Sequence, residues 1–138
     1  MSSKQKGSNA ERELVHLFWH NGWTACRVAG SGSMRYPSPD VIASNGQTVY
    51  VVECKCSKVK TKYVPLEDID ELVGFAQKFG AVPLIGVRFS NKEWMFLSPF
   101  DLETSGKFAL IKRESSAHSF SEIVSHSSSR LVATPFSQ

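Results

Sequence analysis

Pro39-Asp40-Val41-Ile42-Ala43-Ser44-Asn45-Gly46-Gln47-Thr48-Val49-Tyr50-Val51-Val52-Glu53-Cys54-Lys55 is the stretch that decides the fold. Two apolar runs flank Asn45-Gly46, the strongest short hairpin signal. With Asn45-Gly46 as a two-residue loop, Ser44 pairs with Gln47 and Asp40 falls opposite Val51. Side chains alternate with period two, so Asp40 shares a face with Val49, Val51, Glu53 and Lys55. Asp40 and Glu53 are then diagonal neighbours, roughly 7–8 Å apart between backbones, within joint reach of one cation; a bulge would break this inference. Tyr50, Val52, Cys54 and Cys56 take the other face. A strand apolar on both faces is expected in the centre of a sheet, where charged residues are costly unless paired or bound to metal.

Outward from the hairpin, Ser8-Asn9-Ala10-Glu11 precedes a periodic apolar segment (Leu14, Val15, Phe18, Trp19) that stops at Asn21-Gly22, which predicts an amphipathic helix. Glu11 lies on its inward stripe and Glu13 faces solvent. Two readings stand for Glu11: a capping-box acid answering Ser8, or a third carboxylate beside the hairpin pair. Arg12 is either a surface arginine or a phosphate contact. Thr24 to Val28 is a strand candidate. Ala29 to Pro39 is a Gly/Ser loop that lacks the Gly-Lys-Ser/Thr of a P-loop. Pro65 to Phe79 is a second helix, with Ile69, Leu72, Val73, Ala76 and Phe79 inward and its early acids complementing the helix dipole. Val82 to Phe89, Glu93 to Leu97 and Phe108 to Lys112 are further strand candidates, and the Ser-rich tail offers a short helix around Ile123. The order predicts an α/β fold, a mixed β-sheet flanked by helices with an αβββαβ core, in one domain over 1–138 with flexible ends at 1–7 and 127–138.

Composition narrows the chemistry. Residues 1–62 hold nine Lys/Arg against four Asp/Glu, whereas 63–138 hold seven against nine. Three of those four acids are Glu11, Asp40 and Glu53, so the ground around them is basic, as a surface meeting phosphates is. Lys58, Lys60 and Lys62 alternate after the hairpin, either tracking a nucleic-acid backbone or guarding a sheet edge. No apolar run approaches a membrane span, and the first residues lack a signal-peptide pattern; a cytoplasmic protein without membrane contact is expected. Cys26, Cys54 and Cys56 lack the partners of a zinc site and are expected as buried thiols. Four histidines share no spacing that suggests a site, and no triad supports serine chemistry.

Pro39-Asp40, twelve residues, then Glu53-Cys54-Lys55 resembles the restriction-endonuclease-like superfamily, whose signature is Pro-Asp, a spacer and Asp/Glu-x-Lys. Lys6-Gly7-Ser8-Asn9-Ala10-Glu11-Arg12-Glu13, Gly22-Trp23 with Arg27 and Gly30-Ser31-Gly32-Ser33, Tyr63-Val64, and the helix ending Phe75-Ala76-Gln77-Lys78-Phe79-Gly80 are similar to archaeal Holliday junction resolvases of the cellular and viral types, over roughly residues 4–100. The loop Met34-Arg35-Tyr36-Pro37 is longer than in some relatives. The resemblance implies a structure-selective endonuclease that nicks opposite strands of four-way junction DNA as a homodimer, leaving 5′-phosphates. It implies catalytic roles for Glu11, Asp40, Glu53, Lys55 and Ser31, and Mg²⁺ (with Mn²⁺ substituting) on Glu11, Asp40, Glu53 and the carbonyl of Cys54. Lys6, Arg12, Arg27, Arg35, Lys58, Lys60, Lys62 and Tyr63 are the expected DNA contacts. Other recombination proteins are not readable as partners. The competing readings are a repair or restriction-type nuclease on linear duplex and a non-catalytic nucleic-acid-binding module.

Overall fold

The computed structural model describes residues 3–28 and 36–125, with Ser3, Lys4 and Lys6 described in backbone only. The elements are α1 (Ser3–His20), β1 (Thr24–Arg27), β2 (Val41–Ser44), β3 (Val49–Ser57), β4 (Thr61–Pro65), α2 (Leu66–Phe79), β5 (Val82–Phe89), β6 (Met95–Leu97), β7 (Glu103–Ser105), β8 (Phe108–Lys112) and α3 (Phe120–Ser125). Five strands form a mixed sheet in the order β1-β2-β3-β5-β6, and β4-β8-β7 form a second, three-stranded sheet. The antiparallel β1-β2-β3 meander joins β5 in parallel through β4 and α2, as a parallel neighbour requires a crossover. β3 is central, as its two-sided apolar pattern predicts.

The two faces of β3 face different cores. Tyr50 and Val52 pack with Val41, Ala43 and Leu84 against Leu14 and Phe18 of α1 and Ile123 of α3. Trp23 stacks on Tyr50 with ring centroids 5.2 Å apart, and the Tyr50 hydroxyl donates to the Ile123 carbonyl at 2.7 Å. On the opposite face Val51, Ile85 and Val87 pack against Ile69, Leu72 and Ala76 of α2 and against Val64, Ala109 and Ile111 of the second sheet. Burying β3 on both sides fixes its register, because a one-residue slip would exchange the two cores.

Several expectations change. Asn45-Gly46 is not a two-residue loop: the Asn45 side chain accepts the N–H groups of Gln47 and Thr48 at 2.9 and 2.7 Å, and the first pair is Ser44 with Val49. The register moves by two residues, an even step, so the side chains of β2 and β3 keep their predicted faces, while Asp40 lies outside the regular ladder. α1 begins at Ser3, so residues 3–7, expected among the flexible ends, are helical and Ser8 sits inside the helix rather than at its cap. Its end agrees, with Gly22 at φ 81°. Phe79, expected inward, is 51% exposed because α2 ends one residue later at Gly80, whose φ of 80° turns the chain away. Cys26 is exposed rather than buried, while Cys54 and Cys56 are half-buried. The lysine-rich segment is an edge, but of the second sheet, where β4 pairs with β8 alone. Ser31, Arg35 and the C-terminal end from 126 lie outside the described residues.

Candidate active site

Asp40 stands where β2 has not yet begun. The last regular pair is Val41 with Val52, yet the Asp40 N–H donates to the Val52 carbonyl at 3.0 Å, one residue off that register. This is the hydrogen-bonding signature of a β-bulge, a device that re-aims a side chain. The Asp40 carboxylate turns onto β3, where Oδ2 accepts the Cys54 N–H at 2.8 Å. The N–H and C=O of one strand residue point the same way, so the Cys54 carbonyl faces the same side of β3 as Asp40.

Glu53 and Lys55 continue the β3 face that Val51 begins, but beyond the apolar cover, with side chains 20% and 22% exposed. Lys55 Nζ lies 3.4 Å from Glu53 Oε2 and 3.6 Å from Asp68 Oδ2 of α2. Glu11 comes from the opposite face. It precedes Leu14 and Phe18 by three and seven residues, both fully buried, and so shares their inward row on α1. Arg27 at the end of β1 donates from Nε to Glu11 Oε1 at 3.1 Å and from Nη2 to Ser8 Oγ at 3.3 Å. The partner of Ser8 is therefore Arg27, not a capping-box glutamate.

Asp40 couples the two glutamates electrostatically. Burial and the Asp40 charge push the Glu53 carboxyl up to about 7, against the opposing pull of Lys55. Burial and Asp40 also raise Glu11, which Arg27 and Arg12 partly offset. Glu13, two residues on, shows the contrast: burial would raise it, but hydrogen bonds from Arg88 at 2.9 Å and Trp94 at 2.5 Å hold it below the ordinary value. Like charges press on Glu11 and Glu53, whereas Glu13 is an ordinary paired acid. Cys54 feels all three: burial first, then Asp40, Glu11 and Glu53, drive its thiol well up. Its carbonyl, not a thiolate, is thus the donor it can offer a hard cation.

Among the described residues, no group of three or more His, Cys, Asp and Glu side chains is gathered into a metal-holding cluster. The donor chemistry nonetheless suits a divalent cation on the Asp40–Glu53 side. Two carboxylates raise each other's energy there, hard oxygens are what Mg²⁺ takes, and a positive ion would relieve the repulsion. Glu11 is held by Arg27 on the α1 side of Asp40.

Among the expected DNA contacts, Arg12 is exposed and bonds Asn9 Oδ1 at 3.3 Å, and Arg27 is half-buried beside Glu11. Lys58 and Lys60 are exposed in the β3–β4 turn, Lys62 is half-buried on β4, and Tyr63 is exposed with its ring edge-on to Phe108. Lys6 lies in α1. Sequence reasoning missed Asp68. Its signal was present: Asp68, Leu72 and Ala76 fall at i, i+4 and i+8, so an acid occupies the row that the apolar residues bury.

A mixed sheet with helices on its faces, a carboxylate at the start of one strand, a Glu-x-Lys on the next and a glutamate on the first helix together define a nuclease of the restriction-endonuclease-like kind. The archaeal Holliday junction resolvase (Hjc) family model matches residues 2–131, and the chain belongs to that family. The crossover junction endodeoxyribonuclease Hjc of Archaeoglobus fulgidus is 38% identical over 104 residues, covering 75% of this chain and 76% of that protein. The Methanocaldococcus jannaschii Hjc is 39% identical over 103 residues, covering 75% and 73%. The solved structure of Archaeoglobus fulgidus Hjc, described as a Holliday junction resolvase, superposes with a TM-score of 0.79 at 32% identity, covering 83% of this chain and 95% of that one. Among the described residues, no helix is long and apolar enough to cross a membrane.

Proposed function

We propose that this protein is a Mg²⁺-dependent, structure-selective endonuclease that resolves four-way DNA junctions by paired nicks in opposite strands. The observation that carries this reading is the placement of Asp40, whose charge raises both Glu11 and Glu53 while its carboxylate is bonded to the strand that presents Lys55. Asp40, Glu53 and the Cys54 carbonyl are assigned to hold the cation, with Glu11 completing the acid set from α1; Mn²⁺ would fit the same oxygens. When bound, the ion supplies Lewis acidity toward the phosphoryl oxygen and lowers the pKa of water.

The chain's own groups do the rest. Lys55, beside Glu53, presents a positive charge where negative charge develops on the phosphoryl oxygens during in-line attack by water. As the water oxygen bonds to phosphorus the P–O3′ bond breaks and the leaving 3′ oxygen takes a proton from solvent, which gives a 5′-phosphate and a 3′-hydroxyl. Arg27 fixes the Glu11 carboxylate and, with Arg12, balances phosphate charge near it. Lys58, Lys60, Lys62 and Tyr63 extend the contact surface along the β3–β4 turn and the β4 edge. Ser31, Arg35 and Lys6 are assigned to the active-site surround and the DNA surface on the family resemblance.

A junction has two strands to cut, which calls for two copies of this site. The exposed Phe79, stacked on Phe75 at 5.2 Å, gives α2 an aromatic surface that a second copy would cover, and a homodimer acting in the cytoplasm is the assembly proposed. Incubation with Mg²⁺ on four-way junction, linear duplex and single strand tests the reading. Symmetric nicks near the crossover are expected; equal cutting of duplex, or binding without cutting, would overturn it.

A further inference from the structure

Lys55 is flanked by two acids that reach it from different elements. Glu53 Oε2, two residues back on β3, is 3.4 Å from Nζ, and Asp68 Oδ2, in the first turn of α2, is 3.6 Å away. Asp68 is not placed like an acid that serves only the helix dipole. Leu72 and Ala76, four and eight residues on, are 4% and 0% exposed, and Ile69 beside it is buried. The helix therefore carries Asp68 on its inward row, against the strand that presents Lys55, while Glu67 in the same turn is exposed.

The chemistry gives Asp68 a task that Glu53 cannot perform. A carboxylate that offers its lone pairs to a divalent cation neutralises a neighbouring ammonium less, and the cation itself repels that ammonium. Lysine ends a flexible four-carbon stem and would then move toward solvent. A second carboxylate on a separate, rigid element restrains it. We propose that Asp68 is a positioning residue for Lys55, the counter-ion that keeps the ammonium beside the scissile phosphate once Glu53 is engaged. The inference rests on the catalytic reading of Lys55 given above.

Five variants and one spectroscopic measurement test it. Asp68→Asn is expected to slow single-turnover nicking of a four-way junction roughly ten- to a hundredfold while the junction Kd stays within about twofold. Asp68→Glu should recover most of the rate, and Glu67→Gln, the same charge change in the same turn, should leave it unchanged. Combining Asp68→Asn with Lys55→Ala should be no slower than Lys55→Ala alone. In ¹³C-lysine-labelled protein with Mg²⁺ and no DNA, the two Lys55 ε-methylene protons should be inequivalent in the parent protein and coincide in Asp68→Asn. Nicking by Asp68→Asn at the parent rate, with Lys55→Ala inactive, overturns the positioning role alone. An equal loss in Glu67→Gln assigns the effect to the charge balance of α2 and also overturns it. Full activity of Lys55→Ala removes the catalytic reading of Lys55 and this inference with it.

Discussion

Asp40 Oδ2 accepts the main-chain N–H of Cys54 at 2.8 Å, so the carboxylate that precedes β2 is bonded to the strand that carries Glu53 and Lys55. One side chain thus both closes the bulge and supplies charge to the site. Asn keeps an oxygen for the Cys54 N–H, whereas Ala leaves that donor without it, at about 1–3 kcal/mol. Asp40→Asn is expected to fold normally and bind junctions with near-parent affinity, yet nick at least about a hundredfold more slowly. Asp40→Ala should add a loss of stability. Gel-shift, single-turnover and urea-denaturation measurements separate the two effects, and an active Asp40→Asn would remove the site.

Glu53 makes a pH prediction. Its folded pKa, pushed up to about 7 by burial and Asp40, exceeds its ordinary value of 4.5. Between those two pH values the folded protein holds a proton that the unfolded chain releases, so stability falls as pH rises through this window. Gln cannot ionise. In chelator, Glu53→Gln should gain on the parent between pH 5 and pH 8 by on the order of 1–3 kcal/mol, measured by urea denaturation. Mg²⁺ at pH 8 should stabilise the parent more than the variant. A difference between the two proteins that is the same at pH 5 and pH 8 would contradict the raised pKa.

The sequence carried the alternation of β3 because period two is local, and an even error in register left Glu53 and Lys55 on their predicted face. The bulge at Asp40 was not legible, since it depends on where β2 parts from β3. Nor was the Arg27–Glu11 pair, whose partners are 16 residues apart and meet only because α1 packs across β1. The second sheet was hidden for a similar reason: the partner of β4 is β8, separated from it in the chain by α2, β5, β6 and β7. Asp68 was written into the inward row of α2 but looked like the other acids that favour a helix start.

Arg27 pairs with a half-buried acid and opposes the rise of its pKa. Its guanidinium is 3.1 Å from Glu11 Oε1, and the Glu11 pKa is already raised by burial and by Asp40. Arg27→Met removes the opposing pull and raises it further. Near pH 7 the uncompensated carboxylate should destabilise the fold by about 1–3 kcal/mol, and the loss should shrink as pH falls and Glu11 takes up a proton. Adding Glu11→Gln should restore part of the stability at pH 7. If denaturation midpoints show the same loss at pH 4 and pH 7, the pair has been misjudged.

Gly86 sits on β5 opposite Cys54 of β3 and Phe96 of β6. A Cβ there would meet Phe96 at 3.1 Å, Val52 at 3.2 Å and Trp94 at 3.3 Å, all buried and packed together. No neighbour can yield without moving the core, so Gly86→Ala is expected to lose about 1–3 kcal/mol. Thermal unfolding should show it directly. Nicking should be affected too, because β5 pairs in parallel with β3, the strand that presents Glu53 and Lys55. A neutral Gly86→Ala would mean that β5 stands farther from the α1-side core than the structure has it.

The lysines around β4 are expected to make a separable contribution to junction binding. Lys58 and Lys60 are exposed in the β3–β4 turn and Lys62 is half-buried on the edge strand of the second sheet. Lysine contacts to phosphates release counterions, and each contact contributes about 0.9 to the slope of log K against log salt on duplex arms. Replacing all three by Ala should lower that slope by about 2–3 and weaken junction binding most at low salt. Nicking with the variant in saturating excess should stay near the parent rate, because Lys55 and the acids are untouched. Fluorescence anisotropy across a salt series reads the slope, and an unchanged value would assign these lysines to protecting the edge of the second sheet.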